Sequence, residues 1–122
     1  MKKFSDRALE HKLIDKTFNQ ISVNHYEPGR GIGHHIDTVE GFEGPVGSIS
    51  LLSDVVINFK KGEEELALLL PARCFFLIDG PSRYEWTHGI SYKRHGKKSD
   101  FIDGTEVVRQ ERVAVTYRRV IP

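Results

Sequence analysis

From Phe18 onward the chain is written in short runs, alternating apolar and polar or continuously apolar, that Gly, Pro, Asp and charged residues interrupt. Such patterning predicts strands over residues 18–26, 33–37, 46–52, 55–59, 65–70, 73–78, 84–88 and 112–120. Ahead of them, Phe4, Ala8, Leu9 and Leu13 recur at helical spacing before Thr17, with Ser5 or Asp6 available as a cap. A short N-terminal helix packed on a sheet is therefore expected over a lead-in of residues 1–17, followed by a β core over 18–122. Many short strands and one helix make a mostly β fold, an antiparallel sandwich or jelly roll. Lys60-Lys61-Gly62-Glu63-Glu64 reads as an exposed hairpin turn. Residues 91–111 turn polar and charged, which predicts a long surface loop with little structure of its own.

Length narrows this to one domain, because 122 residues can enclose a single core but not an enzyme core plus a recognition domain. With 39% hydrophobic and 29% charged residues and a net charge of +1, bulk charge gives no argument for a nucleic-acid partner. The first residues are studded with charge and no segment is apolar enough to span a bilayer, so an intracellular protein of cytoplasm or nucleus is expected. The single Cys74 lies in an apolar run and is expected to be a core thiol; alone, it forms no intramolecular disulfide. Lys93-Arg94-His95-Gly96-Lys97-Lys98 reads as a solvated loop or a contact for phosphates, with Asp100, Asp103 and Glu106 diluting its field.

Alternation along a strand turns scattered polar residues into one candidate site, since residues two apart share a face. His35 and Asp37 share one; His34 points the other way with Ile36. Two imidazoles and a carboxylate on one side of a metal leave its other positions open, the facial arrangement of non-haem Fe(II) oxygenases. A second histidine is then required, and His88, in Trp86-Thr87-His88-Gly89-Ile90 after a predicted strand, is the natural choice. In Arg112-Val113-Ala114-Val115-Thr116-Tyr117-Arg118, both arginines fall on one face with Ala114 and Thr116. A guanidinium facing a barrel interior needs an anion, preferably a carboxylate meeting it by two parallel hydrogen bonds, and a dicarboxylate such as 2-oxoglutarate would serve. Ser22, Asn24 and Tyr26 share a strand face, offering an amide and a phenol to the same ligand.

Three stretches resemble the signature blocks of the AlkB family of dioxygenases, in order and with similar spacing. They are Asn24-His25-Tyr26-Glu27-Pro28-Gly29-Arg30-Gly31-Ile32-Gly33-His34-His35-Ile36-Asp37, Gly80-Pro81-Ser82-Arg83-Tyr84-Glu85-Trp86-Thr87-His88-Gly89-Ile90, and the strand from Arg112 to Arg118. With Ser48-Ile49-Ser50-Leu51 they cover most of the chain from Phe18, and in detail they are most similar to the branch that hydroxylates a modified wobble uridine in tRNA, AlkB homolog eight. The resemblance implies a double-stranded β-helix, iron on His35, Asp37 and His88, and 2-oxoglutarate held by Asn24, Tyr26, Arg112 and Arg118. It also implies oxidative decarboxylation of 2-oxoglutarate with O2, coupled to hydroxylation of a C–H bond. A hydroxylated N-methyl would leave as formaldehyde, whereas a side chain attached through carbon would keep its hydroxyl.

The resemblance begins late, so the domain is expected to lack the usual N-terminal extension. The wobble-uridine branch carries RNA-recognition and methyltransferase modules, and a separate RNA-binding or methyltransferase subunit is expected to supply them. Base-demethylating relatives often place an acid two positions after the metal aspartate; this chain has Val39, which favours tRNA modification over N-demethylation of alkylated RNA or DNA bases. A noncatalytic jelly-roll binding module is the alternative of another class. Arg83 is expected to support the site or anchor a loop, and Tyr84 and Trp86 to share the face of His88.

Overall fold

Two four-stranded antiparallel sheets enclose the main core in a computed structural model that describes residues 2–92 and 99–122. In chain order the elements are α1 (Lys2–Glu10), β1 (Gln20–Tyr26), β2 (Ile32–His35), β3 (Phe42–Leu51), β4 (Val55–Lys61), β5 (Glu64–Leu70), β6 (Cys74–Ile78), α2 (Pro81–Tyr84), β7 (Thr87–Ile90), β8 (Ser99–Ile102), β9 (Thr105–Val108) and β10 (Arg112–Val120). One sheet has the order β1-β10-β3-β6 and the other β2-β7-β4-β5. Of the steps from β1 to β7, only β4 to β5 stays within a sheet, and its hairpin turns at Gly62 (φ 60°) as the Lys-Gly-Glu run predicts. This is a jelly roll, one of the two folds the alternation left open, and the double-stranded β-helix that the family resemblance implies.

The apolar faces fill the space between the sheets with Val46, Val55, Ile57, Phe59, Leu70, Ile78 and Ile90; Trp86 and the half-buried Cys74 pack against them. A second cluster, Ala8, Ile14, Phe18 and Tyr117, packs α1 and its following turn on the outer face of the first sheet. The helix begins at Lys2, so Ser5 lies inside it instead of capping it. There the buried hydroxyl of Ser5 accepts the Phe18 backbone N–H at 2.8 Å and ties the helix to the approach of β1. Leu13 lies past the helix end and is exposed.

Two further expectations are corrected. Where a strand over 84–88 is expected, Gly80 (φ 53°) turns the chain and Pro81, whose missing N–H suits a first helical turn, opens α2. Tyr84 is consequently exposed, stacked near Arg83, and does not share the face of His88, while His88 lies within β7 rather than after a strand. Within 91–111, expected as a loop, β8 and β9 form a hairpin. Asp103 (φ 49°) and Gly104 (φ 78°) make its two-residue turn. The hairpin is fastened by the buried Arg109, whose Nε and Nη2 donate to Asp100 at 2.5 and 3.2 Å while its other bonds reach the carbonyls of Arg30 and Ser91. The basic run 93–98 lies outside the described residues. No described helix is long and apolar enough to cross a membrane.

Candidate active site

Close backbone approach creates the site. A Cβ on Gly89 of β7 would stand 2.9 Å from the Ile32 carbonyl and 3.0 Å from the His34 nitrogen, and one on Gly31 would overlap the Ile90 carbonyl. These glycines let β2 and β7 pair tightly enough to set His35 opposite His88, with ring centroids 4.5 Å apart. Asp37 follows on the non-regular segment after β2, its side chain only 11% exposed. Ligand atoms of His35, Asp37 and His88 all lie within 4.8 Å of one another, a group that could hold a metal ion.

Hydrogen bonding decides the electronic character of this cluster. The Gly33 carbonyl can only accept, so the 2.7 Å contact places the proton of a neutral His35 on Nδ1. Its Nε2 then presents a bare lone pair to Asp37 Oδ1 at 3.3 Å, and His88 Nε2 lies 3.7 Å from the same oxygen. Acceptors facing one another repel unless a cation lies between them. Burial pushes the His88 pKa down, against the pull of Asp37, so this ring favours its neutral form. A first-row divalent ion bonds such atoms at about 2.0–2.2 Å, which puts neighbouring ligands ~3 Å apart, and the 3.3 and 3.7 Å contacts to Asp37 Oδ1 lie near that spacing.

The same cavity, about 120 Å³, is lined by all seven residues expected in the site: Asn24, Tyr26, His35, Asp37, His88, Arg112 and Arg118. Arg112 is buried, its Nε donates to the fully buried Ser50 hydroxyl at 2.9 Å, and its guanidinium lies 5.3 Å from the Tyr26 ring centre. Among the described residues no carboxylate pairs with it, and burial pushes its pKa down. A cation so placed fits an incoming carboxylate. Arg118 stands at a register shift between β10 and β3, and its Nη2 lies 3.8 Å from Asp37 Oδ1. Unbroken alternation along β10, in register with β1, keeps Arg118 on the cavity side with Arg112, while Arg119 turns to Glu43, lowering that carboxyl's pKa.

Other candidates lie elsewhere. His34 faces away, 3.3 Å from the Thr87 hydroxyl, and Ser22 does not line the cavity. Trp86 belongs to the core. Ser50 has no chemical signature of its own in the sequence, and only the register that sets it beside Ala114 and Cys74 reveals it as a support for Arg112.

Comparison with known proteins agrees with this chemistry. The family model described as 2OG-Fe(II) oxygenase superfamily matches residues 1–118. The uncharacterized protein L905 of Acanthamoeba polyphaga mimivirus is 33% identical over 95% of the chain. The tRNA (carboxymethyluridine(34)-5-O)-methyltransferase ALKBH8 of Macaca fascicularis is 35% identical over 96% of it. The chain spans 55% of the viral protein and 20% of the macaque one. Among solved structures, OsALKBH1 superposes with a TM-score of 0.61 at 21% identity, over 85% of this chain and 49% of that one, which speaks for the fold.

Proposed function

The chain belongs to the 2OG-Fe(II) oxygenase superfamily, and we propose that it is a 2-oxoglutarate-dependent dioxygenase, using Fe(II) and O2, that hydroxylates a modified nucleobase, the side chain of a wobble uridine in tRNA. The observation that carries the reading is one cavity combining the His35-Asp37-His88 cluster, which could hold a metal ion, with a buried, carboxylate-free Arg112.

Bound there, Fe(II) and 2-oxoglutarate would activate O2 and place one oxygen atom on a substrate C–H bond, leaving succinate and CO2. In this proposal His35, Asp37 and His88 hold the iron on one side. Arg112, aimed by Ser50, meets the distal carboxylate of 2-oxoglutarate, while Asn24 and Tyr26 contribute hydrogen bonds along its length. Arg118 balances the charge of Asp37 at the metal end. The apolar walls at Ile32, Ile57 and Ile78 limit water around the reacting atoms.

Support for the tRNA substrate comes from the ALKBH8 relatives, whose name specifies position 34 of tRNA. Val39 adds to it: half exposed on the segment that carries Asp37, it offers no hydrogen-bond acceptor to a base edge. Selection of the tRNA by a separate RNA-binding or methyltransferase subunit is part of the proposal. The test is succinate formation with purified tRNA, together with nucleoside mass spectrometry of tRNA from cells with and without the protein. A hydroxylated wobble side chain supports the reading. Changed N-methyl bases would instead favour demethylation of alkylated RNA or DNA, and no succinate from a folded, iron-loaded chain would point to a noncatalytic binding module.

A further inference from the structure

Arg83 is the largest fully buried side chain among the described residues, 1% exposed, and no described carboxylate pairs with it. Placing a guanidinium in such a position is costly unless its donors are used. Two of them are: Nη1 donates to the Asp37 carbonyl at 2.7 Å and Nη2 to the Thr38 carbonyl at 2.9 Å. Nε is buried with no partner. The recipients matter because β2 ends at His35, so no strand ladder fixes the backbone that carries the Asp37 carboxylate. The donor sits on α2, whose turn is itself braced by the Arg83 and Tyr84 N–H groups bonding the Gly80 carbonyl, and which leads directly into the strand of His88.

We propose that Arg83 is a positioning residue for metal binding: its fork locks the Asp37–Thr38 backbone to α2 and so fixes the carboxylate relative to His35 and His88. The proposal rests on the metal reading of that cluster. A planar fork meeting two successive carbonyls supplies directional constraint that an apolar side chain filling the same space would not. The half of the site without a ladder is thereby tied to the half that has one.

Cobalt(II) titration of the full chain without O2, read by visible absorption, tests it on wild type, Arg83→Met and Arg83→Lys, with urea unfolding of each apoprotein alongside. Expected is a loss of Co(II) affinity of about 10- to 100-fold in Arg83→Met, as for other groups that orient metal ligands. An altered Co(II) spectrum should accompany it, with partial recovery in Arg83→Lys. A folded Arg83→Met that binds Co(II) with wild-type affinity and spectrum overturns the proposal. Should Arg83→Met not fold, Arg83→Lys decides by the same two readouts, and failure of both to fold assigns Arg83 to the fold as a whole and overturns the specific role. Wild type binding no Co(II) would sink the metal reading itself, an outcome distinct from wild type and Arg83→Met binding equally.

Discussion

Arg112 and Ser50 show how one residue gains meaning from another. An arginine on an inward strand face needs an anion, and that much can be reasoned from alternation alone; the serine opposite is one of many. Yet the Ser50 hydroxyl occupies Nε of Arg112, leaving the outer edge of the guanidinium to meet a carboxylate. Arg112→Ala should therefore keep Co(II) binding while weakening 2-oxoglutarate by on the order of 100-fold, since hydrogen bonds to charged groups contribute about 1.5–3 kcal/mol each. Ser50→Ala should weaken 2-oxoglutarate by roughly 10-fold through loss of one such bond, again without change in metal affinity. Calorimetric titration of each ligand separately checks both, and parallel losses of metal and 2-oxoglutarate would contradict the division of labour. The His35-Asp37-His88 cluster that could hold a metal was legible in the sequence because His and Asp declare their chemistry at any spacing a strand allows. Ser50 was not, because a hydroxyl on a strand acquires a role only when the register is known.

At the scale of elements, the site depends on how closely β2 and β7 approach. Replacing Gly89 by Ala puts a methyl 2.9 Å from the Ile32 carbonyl, a backbone atom that moves only if β2 moves. Gly89→Ala is expected to cost roughly 1–3 kcal/mol of stability, as overpacking does, and to weaken Co(II) by separating His35 from His88; urea unfolding and Co(II) titration measure the two effects. The β8–β9 hairpin makes a separate case. Its anchor is a buried bidentate ion pair, so Asp100→Asn should leave the Arg109 charge uncompensated and destabilise the fold by about 3–5 kcal/mol, seen as a lower urea midpoint. Here the sequence did hold a signal: Asp103-Gly104 is a type I′ turn dipeptide, and both residues adopt positive φ. Short, charged flanks hid it, because the apolar partner of the hairpin is the rest of the protein rather than an alternating face of its own. The turn to α2 was hidden differently, since Tyr84, Trp86 and His88 alternate as a strand would until Gly80 and Pro81 are given their conformational weight.

For the molecule as a whole, alternation in one strand after another was enough to read an antiparallel sandwich or jelly roll, while the order of strands within each sheet follows from tertiary pairing that no local pattern encodes. That pairing brings residues from β2, the segment after it, β7 and β10 to line one cavity, so occupying the cavity ties together parts far apart in the chain. Ligands that bind the folded state alone stabilise it by about 2.7 kcal/mol when present at 100 times their Kd. For a domain of this size each kcal/mol raises the melting temperature by roughly 3–5 °C, so saturating Co(II) should raise it by on the order of 10 °C. Adding 2-oxoglutarate should give a further rise of similar size. His35→Ala is expected to remove the Co(II) increment, and most of the 2-oxoglutarate increment with it, because the keto-acid end then lacks the metal. Arg112→Ala should retain the first rise and lose most of the second. Thermal melts of wild type and the two variants without ligand, with Co(II), with 2-oxoglutarate and with both separate these patterns. If His35→Ala kept the full 2-oxoglutarate rise, the two ligands would not share this cavity, and assigning metal and keto acid to one site would fail even with both found to bind.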